Sequence, residues 1–244
     1  MPKRREILFA AASLVVGRIL TACGKKGTRT PKDASHAGVD FKVLVPNEGN
    51  DDKYPLVVAI HGQGGAPEHW VEPWSKFPGR AQIALPRGFT KDGEGHAWFP
   101  WTTNMADEKL AADVAAAEEK LWKGIEALAA GRKIVVAGYA MGAVLTYALA
   151  VRHPDQIVGA FPVAGACPEK LLPKDKAKTA PVVAFHGSGD DMITLAVDRA
   201  TIEAFKKEGA KAELREYAKV GHNPSDELHT DLNNEMVKAL ESAK

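Results

Sequence analysis

Residues 133–150 read KIVVAGYAMGAVLTYALA. Ile134, Val135, Val136 and Ala137 form a short continuous apolar run, the pattern of a strand covered on both faces. Met141, Val144, Leu145, Ala148 and Leu149 then recur at helical spacing. Between the two, Gly138 and Gly142 stand two residues either side of Ala140. Glycines so placed permit a sharp strand-to-helix bend, with the central side chain pushed above the sheet edge and the helix packed close behind it. The spacing therefore predicts a strand-turn-helix unit centred on residue 140. A serine at such a bend, in the pattern G-x-S-x-G, is presented as a nucleophile; alanine has no hydroxyl to attack with.

Working outward from this unit, strands alternate with helices. Residues 40–46 alternate apolar and polar, as a half-exposed strand does, and 56–60 (LVVAI) is a second buried run ending in His61-Gly62-Gln63-Gly64-Gly65. Residues 81–85 form a further short strand. A long segment containing Trp98-Phe99-Pro100-Trp101 follows, of the kind that is usually functional in a compact domain. Leu110, Val114, Ala117, Leu121, Ile125 and Leu128 predict a helix over 105–130, with Gly131 suited to its C′ position. Strands are expected at 157–163, 181–185 and 212–217, a helix from Thr194 to near Gly209, and a final amphipathic helix carrying Leu228, Leu232, Met236 and Leu240. Alternation of this kind implies an α/β fold, a mostly parallel sheet with helices on both faces.

The 244 residues are 45% hydrophobic and 26% charged, the balance of an ordinary globular chain with one full core. A net charge of +1 supplies no basic field for nucleic acid. Two cysteines, Cys23 and Cys167, rule out a disulfide scaffold. The N-terminus carries Lys3, Arg4 and Arg5, then an apolar run over 7–17 too short to span a bilayer, then Leu20-Thr21-Ala22-Cys23. This resembles a bacterial lipoprotein signal with a lipobox, in which small residues precede the cut and the cysteine thiol takes the lipid. Arg4-Arg5 also has a weak likeness to a twin-arginine export motif. The expected organisation is a signal peptide over 1–22, a flexible tether over 23–38 with no large apolar side chain, and one domain over 39–244 in the cell envelope, held to the membrane through Cys23.

Acyl transfer by a hydroxyl needs a base, an acid that orients the base, and backbone donors for the oxyanion. Asp190 follows the 181–185 strand in His186-Gly187-Ser188-Gly189-Asp190-Asp191, and His222 follows the 212–217 strand in Gly221-His222. Both come after position 140, in the order nucleophile, acid, base. Together with His61-Gly62-Gln63-Gly64, Trp98-Phe99 and the unit around Ala140, these motifs resemble α/β-hydrolases. The likeness is to the phospholipase/carboxylesterase (acyl-protein-thioesterase-like) group and to secreted polyester depolymerases and feruloyl esterases.

That resemblance implies an α/β-hydrolase fold without a large cap domain. It carries the triad acid to Asp190, with Asp191 its neighbouring competitor, and the general base to His222. The oxyanion amides fall on Gln63 and Met141. Either Asp190 or His222 read alone is an ordinary turn residue. Trp98 and Trp101 either wall an acyl or aromatic pocket or pack the loop. His61 and His186 read as structural, Cys167 as a buried thiol and Ser188 as a turn residue. No Cys/His cluster has metal-ligand spacing and no loop matches a phosphate cradle, so no cofactor is expected. Two readings stay open: a serine-esterase-type hydrolase of small ester or thioester substrates, inactive or very weak with Ala140, and a membrane-tethered pseudo-hydrolase that binds an acyl or aromatic ester.

Overall fold

The structure, a computed structural model, describes residues 29–46, 54–102 and 105–242. In chain order the elements are β1 (Arg29–His36), β2 (Val39–Pro46), β3 (Leu56–Ile60), α1 (Pro67–Ser75), β4 (Gln82–Pro86), β5 (Thr90–Asp92), β6 (Gly95–Ala97) and α2 (Asp107–Ala129). They continue with β7 (Ile134–Tyr139), α3 (Met141–Arg152), β8 (Ile157–Val163), β9 (Val182–Gly187), α4 (Leu195–Lys207), β10 (Ala212–Tyr217) and α5 (Asp226–Ser242). One sheet has the order β1-β2-β4-β3-β7-β8-β9-β10. From β4 to β10 every neighbouring pair is parallel, while β2 runs antiparallel to both β4 and β1. This is the α/β-hydrolase fold, with no large cap among the described residues.

The apolar runs are continuous because each central strand feeds two cores. Val58, Ile60 and Val136 face the layer of α2, α3 and α4, with Val114, Leu121, Val144, Ile202 and Phe205. Val57, Ala59, Val135 and Ala137 face α5, with Leu228, Leu232, Met236 and Leu240, and the segment after α1 at Phe77. Alternate side chains on a strand point to opposite faces, so a strand covered twice must be apolar throughout.

The expected tether over 23–38 needs correction. Residues 29–36 are strand β1, paired with β2 from Arg29↔Pro46 to His36↔Val39. Ladder pairing uses backbone groups, so an edge strand needs no large side chain, and Pro31 is tolerated there. Ala37 and Gly38 both have positive φ (49° and 77°), the two-residue turn that matches strand twist. Ala-Gly in place of Asn-Gly hid that turn in the sequence. The signal-like residues 1–22 and Cys23 lie outside the described residues.

Arg29 fastens β1 to the domain. Its guanidinium donates to the carbonyls of Ser75 (3.2 Å), Phe77 (2.7 Å) and Gly79 (2.5 Å), at and just beyond the C-terminal end of α1. A cation satisfying helix-end carbonyls is favourable twice, by hydrogen bonding and by the helix dipole. Arg29→Ala is expected to cost about 2 kcal/mol, seen as a fall of roughly 4–8 °C in Tm by calorimetry.

Candidate active site

Ala140 stands alone between β7 and α3, with φ 51° and ψ −113°. A non-glycine residue at positive φ stores about 1–3 kcal/mol of strain and persists only when its surroundings fix it. Here they do. Its N–H donates to Val163 O (2.9 Å), and its carbonyl accepts from Ala143 N (2.9 Å) and Val144 N (3.2 Å), opening the helix. A Cβ on Gly138 would collide with the Gly142 carbonyl, and one on Gly142 with the Ile60 carbonyl. The two glycines thus let α3 start directly against the ends of β3 and β7.

The loops after β9 and β10 are zipped together. Ser188 N donates to Tyr217 O (2.9 Å), Gly189 N to Val220 O (2.8 Å), and Lys219 N to Ser188 Oγ (3.0 Å), which gives Ser188 its part as a loop clip. This brings Asp190 to His222. Asp190 is buried, whereas Asp191 is exposed. Asp190 Oδ1 accepts the backbone N–H groups of Met192 (2.9 Å) and Ile193 (3.0 Å), and Oδ2 accepts His222 Nδ1–H at 2.8 Å. A carboxylate on Nδ1 fixes the tautomer and leaves Nε2 as the basic nitrogen. Among the described residues nothing bonds Nε2. Tyr139, the residue before Ala140, packs its ring 5.2 Å from that of His222 and donates its hydroxyl to Asn223 Oδ1 (3.1 Å). Burial and the Asp190 charge push the Tyr139 hydroxyl well above its ordinary pKa, so it remains a donor. Asp190, His222 and the bend at Ala140 therefore share one end of the sheet.

Gln63 lies in the loop leaving β3. That loop is held by an element the sequence did not reveal, the β5–β6 hairpin: Gly64 N donates to His96 O (3.0 Å) and His96 N to Gly65 O (2.8 Å). Among the described residues neither the Gln63 nor the Met141 amide has an acceptor. Beneath them, His61 donates Nδ1–H to Gly62 O (2.6 Å) and accepts Gly88 N–H at Nε2 (3.1 Å), a neutral ring with both nitrogens occupied. Burial lowers its pKa to about 4. The unfolded histidine protonates near 6.5, so His61 contributes stability that is complete above that pH and is lost as pH falls toward about 4. The full loss is about 3 kcal/mol. Urea midpoints taken at pH 7, 5.5 and 4.5 should fall in that order, and His61→Asn should flatten the trend.

Trp98 does not wall a pocket. It is 2% exposed, donates Nε1–H to His61 O (2.8 Å) and its backbone N–H to Met141 Sδ (3.3 Å), and packs 4.8 Å from the His61 ring. A tryptophan whose N–H is satisfied internally serves as the floor under the loop. Trp101 is half-buried and stacks on Phe99 at 6.0 Å. Cys167 is buried, its amide donates to Thr201 Oγ1 (3.1 Å), and burial with the nearby Asp107 charge pushes its thiol far up, which removes it as a substitute nucleophile. Among the described residues no group of three or more His, Cys, Asp or Glu could hold a metal ion.

The sequence profile of the dienelactone hydrolase family matches residues 87–240. The chain belongs to that family. Solved structures share the fold of this dienelactone hydrolase family member at low identity. Esterase PE8 superposes with a TM-score of 0.69 at 19% identity, covering 83% of this chain and 97% of that one. SOBER1 from Arabidopsis thaliana gives 0.65 at 20%, covering 76% and 99%. Acyl-protein thioesterase 2 from Zea mays gives 0.63 at 19%, covering 82% and 98%. No curated protein matches the chain by sequence. The matched family segment contains the bend, Asp190 and His222.

Proposed function

We propose that this hydrolase-family chain carries a serine-esterase-type site for carboxylic esters or thioesters whose nucleophile is missing, so that with Ala140 it is inactive or very weak. One observation carries the reading: Ala140 is held at positive φ on a glycine-flanked bend while His222 and Asp190 are already hydrogen-bonded at the same sheet end. A serine at 140 would pass its proton to His222 Nε2 while its oxygen attacks the acyl carbon. Asp190 would stabilise the resulting imidazolium, and the Gln63 and Met141 amides would receive the oxyanion. His222 then protonates the leaving alcohol or thiol, and water repeats the cycle on the acyl-enzyme. Labelling of Ala140→Ser by a fluorophosphonate probe tests this; an unlabelled, folded serine variant would overturn it.

A second reading draws on the same arrangement, since a formed Asp190–His222 pair beside the Gln63 and Met141 amides, which have no acceptor among the described residues, suits binding an ester without cleaving it. It expects affinity for an acyl or aromatic ester that Ala140→Ser leaves unchanged in the first seconds after mixing. In either case we place the protein in the bacterial cell envelope, anchored through lipid on Cys23, on the strength of the lipobox-like residues 20–23. Among the described residues no helix is long and apolar enough to cross a membrane. Loss of membrane association in Cys23→Ser tests the anchor.

A further inference from the structure

Behind Asp190 lies a histidine that the catalytic scheme leaves unused. His186, on β9, is 0% exposed. Its Nδ1 is 2.7 Å from Asp198 Oδ2 on α4, and its Nε2 is 2.8 Å from Ile193 O. That same Nε2 lies 3.3 Å from Asp190 Oδ2, the oxygen that holds His222. Asp198 is also fully buried, and its other oxygen accepts the hydroxyl of Tyr147 on α3. Both ring nitrogens of His186 thus face groups that only accept: a carboxylate on one side, a carbonyl and a carboxylate on the other. A neutral imidazole has one N–H and would turn a lone pair against one of these oxygens; an imidazolium satisfies both. Burial alone opposes the charge, but the Asp198 hydrogen bond and charge, the Ile193 carbonyl and the Asp190 charge together outweigh it and the net shift is upward.

We propose that His186 is a positioning residue, an imidazolium held by Asp198 that anchors Asp190 as a carboxylate and shares its Oδ2 with His222. Tyr147, Asp198, His186, Asp190 and His222 then form one polar chain, linked by hydrogen bonds and by the His186–Asp190 ion pair, from the inside of the α3–α4 layer to the sheet end that carries Ala140. The groups facing His186 are Asp198, Tyr147 through Asp198, Asp190, and more distantly Glu216 on β10; those facing His222 are Asp190 and Tyr139. A fixed cation on the shared oxygen draws off part of the negative charge offered to His222 and so weakens the His222 Nδ1–H to Asp190 hydrogen bond.

This rests on reading Asp190 and His222 as the catalytic pair, yet it is testable without catalysis. Ring nitrogen–proton NMR of the 15N-labelled chain from pH 5 to 9 should show both His186 nitrogens as imidazolium throughout. His186→Gln keeps a donor but removes the charge, and should strengthen the His222 Nδ1–H to Asp190 bond, read as a downfield move of the His222 Nδ1 proton resonance. If that variant does not fold, Asp198→Asn should make His186 titrate within this range and move the His222 Nδ1 proton resonance downfield in parallel. A His186 nitrogen bare of its proton across the range, with the proton on Asp198 instead, overturns the proposal. So does an unmoved His222 Nδ1 proton resonance in folded His186→Gln that shows only a lower Tm. An Ala140→Ser variant without esterase activity but with imidazolium at His186 would sink the esterase reading and support this one.

Discussion

Ala140→Ser is expected to raise kcat/KM for a short p-nitrophenyl ester by on the order of 10³–10⁶-fold, because removing a serine nucleophile from an otherwise intact triad costs about that much. The parent chain is expected to retain a small hydrolytic rate from the oxyanion amides and His222, and the gain is measured against that baseline. The gain should depend on the pair already in place. In the serine background, His222→Ala should abolish it, and Asp190→Asn should lower kcat by about 10⁴, since an amide at 190 no longer fixes the His222 tautomer. The substitution should fold without penalty, because the backbone at 140 already holds the required conformation with a side chain of L chirality. Stopped-flow release of nitrophenol should also show a burst, the signature of an acyl-enzyme, which direct attack by water on the ester would lack.

Gly142→Ala is expected to damage the fold heavily, at more than about 4 kcal/mol. Its new methyl would meet the carbonyl oxygen of Ile60 and, 2.8 Å away, that of His61, both on backbone at the end of central strand β3. Backbone there cannot swing aside as a flexible side chain would, so α3 must lift off the sheet or β3 must shift. Gly64→Ala offers the control: Gly64 has φ +71° and no atom within 4 Å of its added Cβ, so only the backbone conformation is penalised, at about 1 kcal/mol. Urea midpoints of the two variants, measured side by side, should therefore separate steric from conformational cost.

The central strands and the bend were legible because their signals are local. Four consecutive apolar residues before Gly138, and glycines bracketing Ala140, mean much the same in any context. Asp190 and His222 were legible as a pair through chain order, and the zipped loops after β9 and β10 explain why order sufficed. Strand β1 was not legible, because its pairing rests on backbone alone and its sequence, RTPKDASH, contains no buried apolar side chain. The β5–β6 hairpin escaped for the opposite reason: three-residue strands are too short to show a period, and its importance comes from clamping a loop some thirty positions away. Trp98 was ambiguous because a buried and a pocket-lining tryptophan look alike until the N–H partner is known. His186 read as structural from its place before glycine, and only the spatial neighbours Asp198 and Asp190 give it an electrostatic part.

Strand β1 runs antiparallel to β2, which is itself antiparallel to β4, so β1 points the same way as the parallel strands. Arg29 therefore sits at the end of the sheet opposite Ala140, Asp190 and His222, beside the carbonyls that precede β4. In the lipid-anchored form proposed above, the six steps from Cys23 to Arg29 could reach at most about 20 Å. The domain would then stand close to the bilayer with its far pole fastened down and the sheet end carrying Ala140, Asp190 and His222 turned outward. Such a geometry favours esters arriving from the aqueous side over lipids of the anchoring leaflet.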